Sequence, residues 1–409
     1  MMKITTDFLI IGAGVVGITI AREIKIRNPK ASVCILEKEA DVGLHSSGRN
    51  SSVLHSGIYY PSNSLKSQVC SQGAVEMKDY HREHKIPLNE CGKILVATNQ
   101  YDAPQIDTLL NRAKDSNIPV EELNEQDLRR LEPEVRSFNG RGIYIPSTSV
   151  GSSQEVMKSL RKEIEGMGIS IYFNSKIIGI NPTDKQVDLA DGSIYSYGHA
   201  INAAGLYADE IAHQFGAGYQ YTLLPFKGIY WRLDPDSGFN LKHLVYPVPD
   251  LRVPFLGVHT TTSIEGVTYL GPTAVPAFSR ENYHGIKGVK LNEFLPIASN
   301  LTKQFVANKD GFRRLAWQEG SRYIKPRFLA AAKKILPRLK MQHLLPSNKV
   351  GIRAQMLDIE TGRMVNDFLV ESGKNSTHII NAISPAWTSA FSFARYIYDN
   401  HITKQEKKI

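Results

Sequence analysis

The sequence predicts an α/β protein, a discontinuous Rossmann-like domain joined to a β-rich α+β domain. Three observations predict it. A strand, glycine turn, helix and strand stand at the N-terminus; a second strand, small-residue turn and helix recur near residue 200; and a β-rich, aromatic, proline-punctuated block separates them from a final strand and helix. At 409 residues the chain exceeds what one core usually holds, so two domains are expected.

"TDFLIIGAGVVGITIAREI" begins with a continuous apolar run, bends at Gly12 and continues with helical spacing through Val16, Ile20 and Ile24. "SVCILEK" closes the unit at Glu37. The GxGxxG spacing falls on Gly12, Gly14 and Gly17, with Glu37 twenty positions after the last glycine. In such a turn the first glycine permits the bend, the second lets a pyrophosphate approach the backbone, and the third allows close helix–strand packing. The helix N-terminus offers unpaired N–H groups to phosphate, and Glu37 offers a carboxylate to an adenosine ribose. A glycine turn alone is a weak signal; strand, helix and acid at this spacing together point to a dinucleotide site.

The polar segment "HSSGRNSSVLHSGIYY" follows, then a helix from Ser64 to His84. "GKILVATN" reads as a strand outside the nucleotide unit, and "EELNEQDLRRLEPEV" as a helix ended by Pro133. "SSQEVMKSLRKEIEGMG" is a capped helix, "ISIYFNSKIIGI" strands, and "VDLADGSIY" a hairpin turning at Asp191-Gly192. "HAINAAGLYADEIA" repeats strand, turn and helix. From Phe215 to about Gln318 a second sheet is expected, and "KVGIRAQM" and "HIINAISPAWTSAFSFARYIYDN" end the chain with a turn, a strand and a helix. Residues 1–90, 148–215 and 345–409 are therefore assigned to the nucleotide domain, and 91–147 and 216–344 to the other.

The net charge of +9 is concentrated. Between Ser321 and Lys349 stand eight basic residues and no acidic one, and "PRFLAAAKKILPRLK" within the basic helical segment 321–344 carries an apolar side. That side either covers the core or meets a membrane surface. No nucleic-acid motif accompanies the charge. Cys34, Cys70 and Cys91 have neither metal-ligand nor disulfide-framework spacing, so no metal is expected and a reducing compartment is. The apolar stretch from Phe8 to Ala21 is too short to span a bilayer and contains turn glycines.

Three features favour FAD over NAD. The fingerprint lies almost at the N-terminus with a polar loop directly after the acidic strand end; "INAAGLYAD" supplies a second close-approach turn; and "GIRAQ" and "SPAWTSA" could set a helix N-terminus beside a flavin. The expected FAD contacts are Gly12, Ala13, Gly14, Val15, Val16 and Gly17 of the turn, and Glu37 and Lys38 at the strand end. The loop adds Ser46, Ser47, Gly48, Arg49, Asn50, Ser51 and Ser52, and later segments add Ile177, Ala203, Ala204, Gly205, Gly351, Arg353, Pro385, Ala386, Trp387 and Thr388.

"IIGAGVVG", "LEKE", "GRNSSVLHSGIYYPSNSLK", "CGKILVAT", "EPEV", "YPVPD", "PFLGVH", "LGPTAV", "GIRAQ" and "NAISPAWTSA" run in order over almost the whole chain. On these stretches the sequence resembles the D-amino-acid oxidase-like superfamily of FAD oxidoreductases, and within it the L-2-hydroxyglutarate dehydrogenase/oxidase family. The resemblance implies a noncovalent FAD enzyme that oxidises an L-2-hydroxy acid to the 2-oxo acid by hydride transfer from Cα to flavin N5. Some related amine oxidases attach flavin through a late cysteine, and here all three cysteines precede residue 92. The hydroxyl proton needs a base, for which His259 and His55 are the candidates, and the resemblance favours His259. The substrate carboxylate needs cations or hydroxyls, with Arg49, Tyr60, Lys227, Tyr246 and Arg353 as candidates and Arg353 placed near the flavin. Quinone or oxygen is the implied electron acceptor, and a cytoplasmic enzyme with peripheral contact to the inner face of the cell membrane is an open reading.

The chain departs from the family at Arg49, where histidine is usual, at Ser51-Ser52-Val53, where "SGV" is usual, at Ser279, where lysine is usual, and at Trp387, where smaller residues are usual. These bear on which acid is oxidised. The competing expectations are an amino-acid or glycerol-3-phosphate oxidoreductase of the same superfamily, an NAD-dependent dehydrogenase, and a flavin-binding protein without turnover.

Overall fold

In the computed structural model, which describes residues 3–251 and 255–403, the strand Lys3–Ile11 lies inside an eight-stranded sheet. Its order is Leu369–Gly373, Ser376–Asn381, Ile194–Asn202, Lys3–Ile11, Val33–Leu36 and Ser170–Tyr172, with Gln186–Leu189 and Ile177–Asn181 branching from Ile194–Asn202. From Ser376–Asn381 to Ser170–Tyr172 the strands run parallel. Parallel strands are covered on both faces, which is why Leu9, Ile10 and Ile35 are fully buried in continuous apolar runs. The helices Val15–Arg27, Leu65–Glu83, Ser153–Gly166 and Ala390–Ile397 share one core with this sheet. Ser64 and Ser152 cap two of them, accepting from Ser67 N and Glu155 N. The Asp191-Gly192 hairpin forms as expected, pairing Gln186–Leu189 with Ile194–Asn202.

Two four-stranded sheets build much of the rest. One joins Leu244–Pro247, Lys93–Val96, Gly142–Ile145 and Glu121–Leu123; the other joins His259–Thr262, Thr268–Gly271, Trp231–Leu233 and Leu344–Leu345. Pro254, the first residue of "PFLGVH", lies outside the described residues, as do 1–2 and 404–409.

Four expectations change. Residues 121–123 are strand, and only Glu125–Leu131 is helix, capped by Asn124 and Asp127. The expected second sheet is interrupted by the helices Leu291–Ala307 and Phe312–Ser321. Pro296 reads as a helix breaker, but Ile297, Phe312 and Leu315 bury against Phe226, Phe255 and Leu357, and that packing outweighs one lost backbone donor. In the basic segment only Lys325–Ala332 is α-helix, and Phe328, Leu336 and Leu339 are fully buried in the core, so its apolar side covers the interior. Finally, Val350–Arg353 and Met356–Asp358, assigned from sequence to the nucleotide domain, pair with Phe226–Ile229 and Tyr221–Leu223.

Candidate active site

A cavity of about 910 Å3 runs from the glycine turn to the strand bearing His259. At one end, Gly12 has φ of +106°, and a Cβ there would lie 2.6 Å from the carbonyl oxygen of Ala203. A Cβ on Gly17 would meet the carbonyl oxygen of Gly12 at 2.1 Å, so the first helix packs directly on the turn. Gly14, the N-cap of that helix, has no side-chain cap, and no acid stands in the first turn; Val15 N donates to Ser47 Oγ at 2.9 Å. Glu37 accepts from Ala13 N at 2.8 Å and from Glu39 N at 2.9 Å, which fixes its carboxylate at the strand end. The polar loop folds over this turn: Asn50 Nδ2 donates to Ser47 O, its Oδ1 accepts from Ser52 N, and Ser46 Oγ donates to Ile352 O. A Cβ on Gly351 would meet Arg49 O at 2.4 Å, so glycine is required where that strand passes the loop.

A polar latch closes the same end. Lys38 Nζ lies 2.6 Å from Glu281 Oε1 and 3.0 Å from His45 Nε2, and also bonds Glu39. Tyr207 OH donates to Glu281 at 2.7 Å, and His45 Nδ1 is 2.6 Å from Tyr283 OH. Carboxylate and imidazole atoms of Glu39, His45 and Glu281 lie within 4.8 Å of one another, but the Lys38 ammonium bonds all three and supplies the charge a cation would.

The opposite end holds the histidines. His259 is 4 % exposed, and its Nδ1 lies 2.8 Å from Gly257 O. A carbonyl only accepts, so Nδ1 carries the proton and Nε2 is left as an acceptor. The ring stacks on Tyr246, centroids 3.8 Å apart. His55 lines the same cavity, and its backbone N–H donates to Thr388 Oγ1. Burial first, then the charges of Lys93 and Arg353, push both imidazoles down to about 3, so both are neutral. Arg353 lines the cavity, its guanidinium 5.1 Å from the Phe255 ring, and burial lowers its pKa without neutralising it.

Comparison with known proteins gives the fold and site a context. The family model described as DAO, FAD dependent oxidoreductase, matches residues 7–399. The chain belongs to the DAO family of FAD-dependent oxidoreductases. It is 33% identical over 393 residues to the L-2-hydroxyglutarate dehydrogenase of Escherichia coli strain K12, covering 96% of this chain and 92% of that one. It is 32% identical over 420 residues to the human mitochondrial L-2-hydroxyglutarate dehydrogenase, covering 96% and 88%. In fold it is similar to a dithionite-reduced, FAD-bound L-α-glycerophosphate oxidase from Mycoplasma pneumoniae, with a TM-score of 0.75, 21% identity and coverage of 96% and 93%. A glycine oxidase from Geobacillus kaustophilus follows at a TM-score of 0.71, 16% identity and coverage of 97% and 94%.

The family's FAD fits these residues: the bare backbone at Gly12 and Gly14, the helix N-terminus with no side-chain cap from its own N-cap residue, and Glu37 match pyrophosphate and ribose in chemistry and order. Most expected cofactor residues line the cavity, including Val16, Ser51, Ile177, Ala204, Gly205, Pro385, Ala386 and Trp387. Ala13, Gly17, Gly48 and Ser52 do not; Ser52 instead bonds Ser153 at the start of a helix. Among the substrate candidates, Lys227 is turned away. Phe226 and Gly228 face the cavity, so alternation sends Lys227 to the other side, where Asn282 Oδ1 holds it at 3.0 Å. Tyr60 does not line the cavity either; its ring lies under Lys66. Arg49 lines the cavity but stacks on Tyr283 at 4.5 Å and donates to Leu44 O, which places it with the latch rather than the histidines. Ser279, one of the departures, is buried and its Oγ accepts from Lys290 N. Sequence reasoning missed Tyr230, Phe255, Glu281 and the buried Lys93; only Lys93 left a signal, a lysine at the start of an otherwise apolar strand.

Proposed function

We propose that this oxidoreductase converts an L-2-hydroxy acid, first L-2-hydroxyglutarate, to the 2-oxo acid, with His259 as the base. The observation that carries this is the His259 tautomer: Nδ1 donates to Gly257 O, leaving Nε2 as a lone-pair acceptor in a cavity shared with the Arg353 cation. Bound FAD supplies the two-electron acceptor for the hydrogen on Cα. His259 Nε2 takes the hydroxyl proton, Tyr246 holds the imidazole plane by stacking, and Arg353 pairs with the carboxylate beside the reacting carbon. His55 lines the cavity with Nδ1 unpartnered and serves as a second orienting group. The named relatives act on that class of substrate. The turn residues, Glu37, the serine loop and the 385–388 segment hold FAD without covalent attachment.

The test is turnover with an artificial acceptor on L- and D-2-hydroxyglutarate, L-2-hydroxypentanoate, glycine and glycerol 3-phosphate. The reading expects 2-oxoglutarate from the L-diacid alone or best; oxidation of glycine or glycerol 3-phosphate in its place would overturn it.

The natural acceptor is proposed to be a quinone or oxygen, met at the surface of a bilayer. Leu291, Leu295, Trp317, Tyr323 and Ile324 are exposed on or beside helices that also carry Arg313, Arg314 and Lys325. No helix among the described residues is long and apolar enough to cross a membrane, so contact would be peripheral. Flotation with anionic vesicles at low but not high salt is the expected result; no flotation at either sinks the membrane part.

A further inference from the structure

Lys93 begins the strand Lys93–Val96, and alternation puts it with Leu95 on the face that packs Val53, Ile58, Val150 and Tyr246. It is 0 % exposed, and its Nζ has no hydrogen-bond partner. Two rings flank it, Tyr59 with its centroid at 4.5 Å and Tyr246 at 5.3 Å. The other buried lysines are different: Lys227 bonds Asn282, and Lys66 Nζ donates to Asn366 O at 2.6 Å. Tyr59 on the polar segment and Tyr246 on the paired strand face Lys93, and Cys70 on the helix Leu65–Glu83, His55 and His259 are near enough to interact with it electrostatically. None is ionised at neutral pH, because burial raises the thiol and phenols and lowers the imidazoles. Burial also brings Lys93 itself down to about 7.

An ammonium buried beside rings alone is costly unless a ligand brings the counter-charge. Tyr246, His55 and His259 line the cavity, and Lys93 stands against the Tyr246 ring. We propose that Lys93 is a specificity-determining positioning residue, whose ammonium behind Tyr246 favours a substrate with a second carboxylate. The proposal deepens the 2-hydroxy-acid reading and rests on it. Arg353 answers the carboxylate beside the reacting carbon, and Lys93 answers the distal one through its field across the Tyr246 ring. A monoanion leaves the Lys93 charge unanswered. A dianion stabilises it, so at pH above 7 the diacid binds together with a proton taken up by the Lys93 amine.

Calorimetric titration of the FAD-loaded protein at pH 8, with glutarate and pentanoate in buffers of different ionisation heat, tests this. Glutarate is expected to bind about tenfold tighter than pentanoate, with proton uptake that pentanoate does not show. Lys93→Met should abolish both the preference and the uptake, change pentanoate binding by less than about twofold, and raise KM for L-2-hydroxyglutarate more than it lowers kcat. A glutarate preference that survives in Lys93→Met overturns the role of Lys93 and leaves the substrate reading standing. Wild-type enzyme that shows the proton uptake but does not oxidise L-2-hydroxyglutarate overturns the substrate and leaves Lys93 standing. Should the variant fail to fold, the wild-type titration decides alone, since glutarate binding without proton uptake contradicts the proposal.

Discussion

His259 and His55 show how much one hydrogen bond decides. Both are buried and both are neutral at physiological pH, yet only His259 has its Nδ1 committed to a carbonyl. His259→Gln is therefore expected to slow anaerobic flavin reduction by roughly 10²–10⁴-fold while leaving FAD content unchanged, read by stopped-flow absorbance. A loss of FAD with retained chemistry would move the residue out of the base role. Both histidines were legible in the sequence as candidates, because imidazoles at strand ends and in a polar loop are visible there. Lys227 was misplaced for a simple reason: period-2 alternation says that neighbours face opposite ways, but only the partner strands say which of Phe226 and Lys227 faces the cavity.

At the scale of elements, the glycine turn and the latch stand at the same end of the cavity and predict different outcomes. Gly12→Ala forces a side chain into a φ of +106° and onto the Ala203 carbonyl, so it should yield colourless, destabilised protein. Gly14→Ala meets only Ser47 Oγ, at 3.1 Å, which a small shift of that side chain relieves; the fold should survive with weakened FAD binding. Fluorescence of released flavin separates the two outcomes. Glu281→Gln breaks the Lys38 bridge in the cavity wall, and a partly exposed pair of this kind contributes about 1 kcal/mol, so FAD should dissociate roughly fivefold faster. Unchanged release would show that the latch does not hold the cofactor. The turn was readable because it is local, three glycines and an acid within one βαβ unit. The latch was not, since Lys38 and Glu281 are 243 positions apart. The helices at 291–321 stand where a second sheet was expected, and the local penalty of Pro296 is offset by tertiary contacts that no window of sequence contains.

For the whole molecule, burial of basic side chains sets the pH dependence of stability. His55 and His259 are pushed down to about 3, and His199 and His378 to about 4, all mainly by burial. The unfolded chain therefore binds more protons between those values and the ordinary histidine range near 6.5. Their stabilisation is fully present above about 6.5 and is lost as pH falls toward 4 and 3. Thermal melts of the holoenzyme should show Tm dropping between pH 7 and pH 4.5; a flat profile would contradict this. The overall architecture was legible because each nucleotide-binding element announces itself within a few dozen residues. The pairing of Val350–Arg353 with Phe226–Ile229, which carries Arg353 into the cavity, is a long-range fact that only the fold supplies. The most direct test of the central claim is anaerobic mixing of the purified yellow protein with L-2-hydroxyglutarate while the flavin absorbance is followed. Bleaching by the L-acid, with 2-oxoglutarate formed one for one and no bleaching by the D-acid, is the predicted result. An oxidised spectrum that persists with the L-acid but bleaches with an amino acid or glycerol 3-phosphate would contradict it.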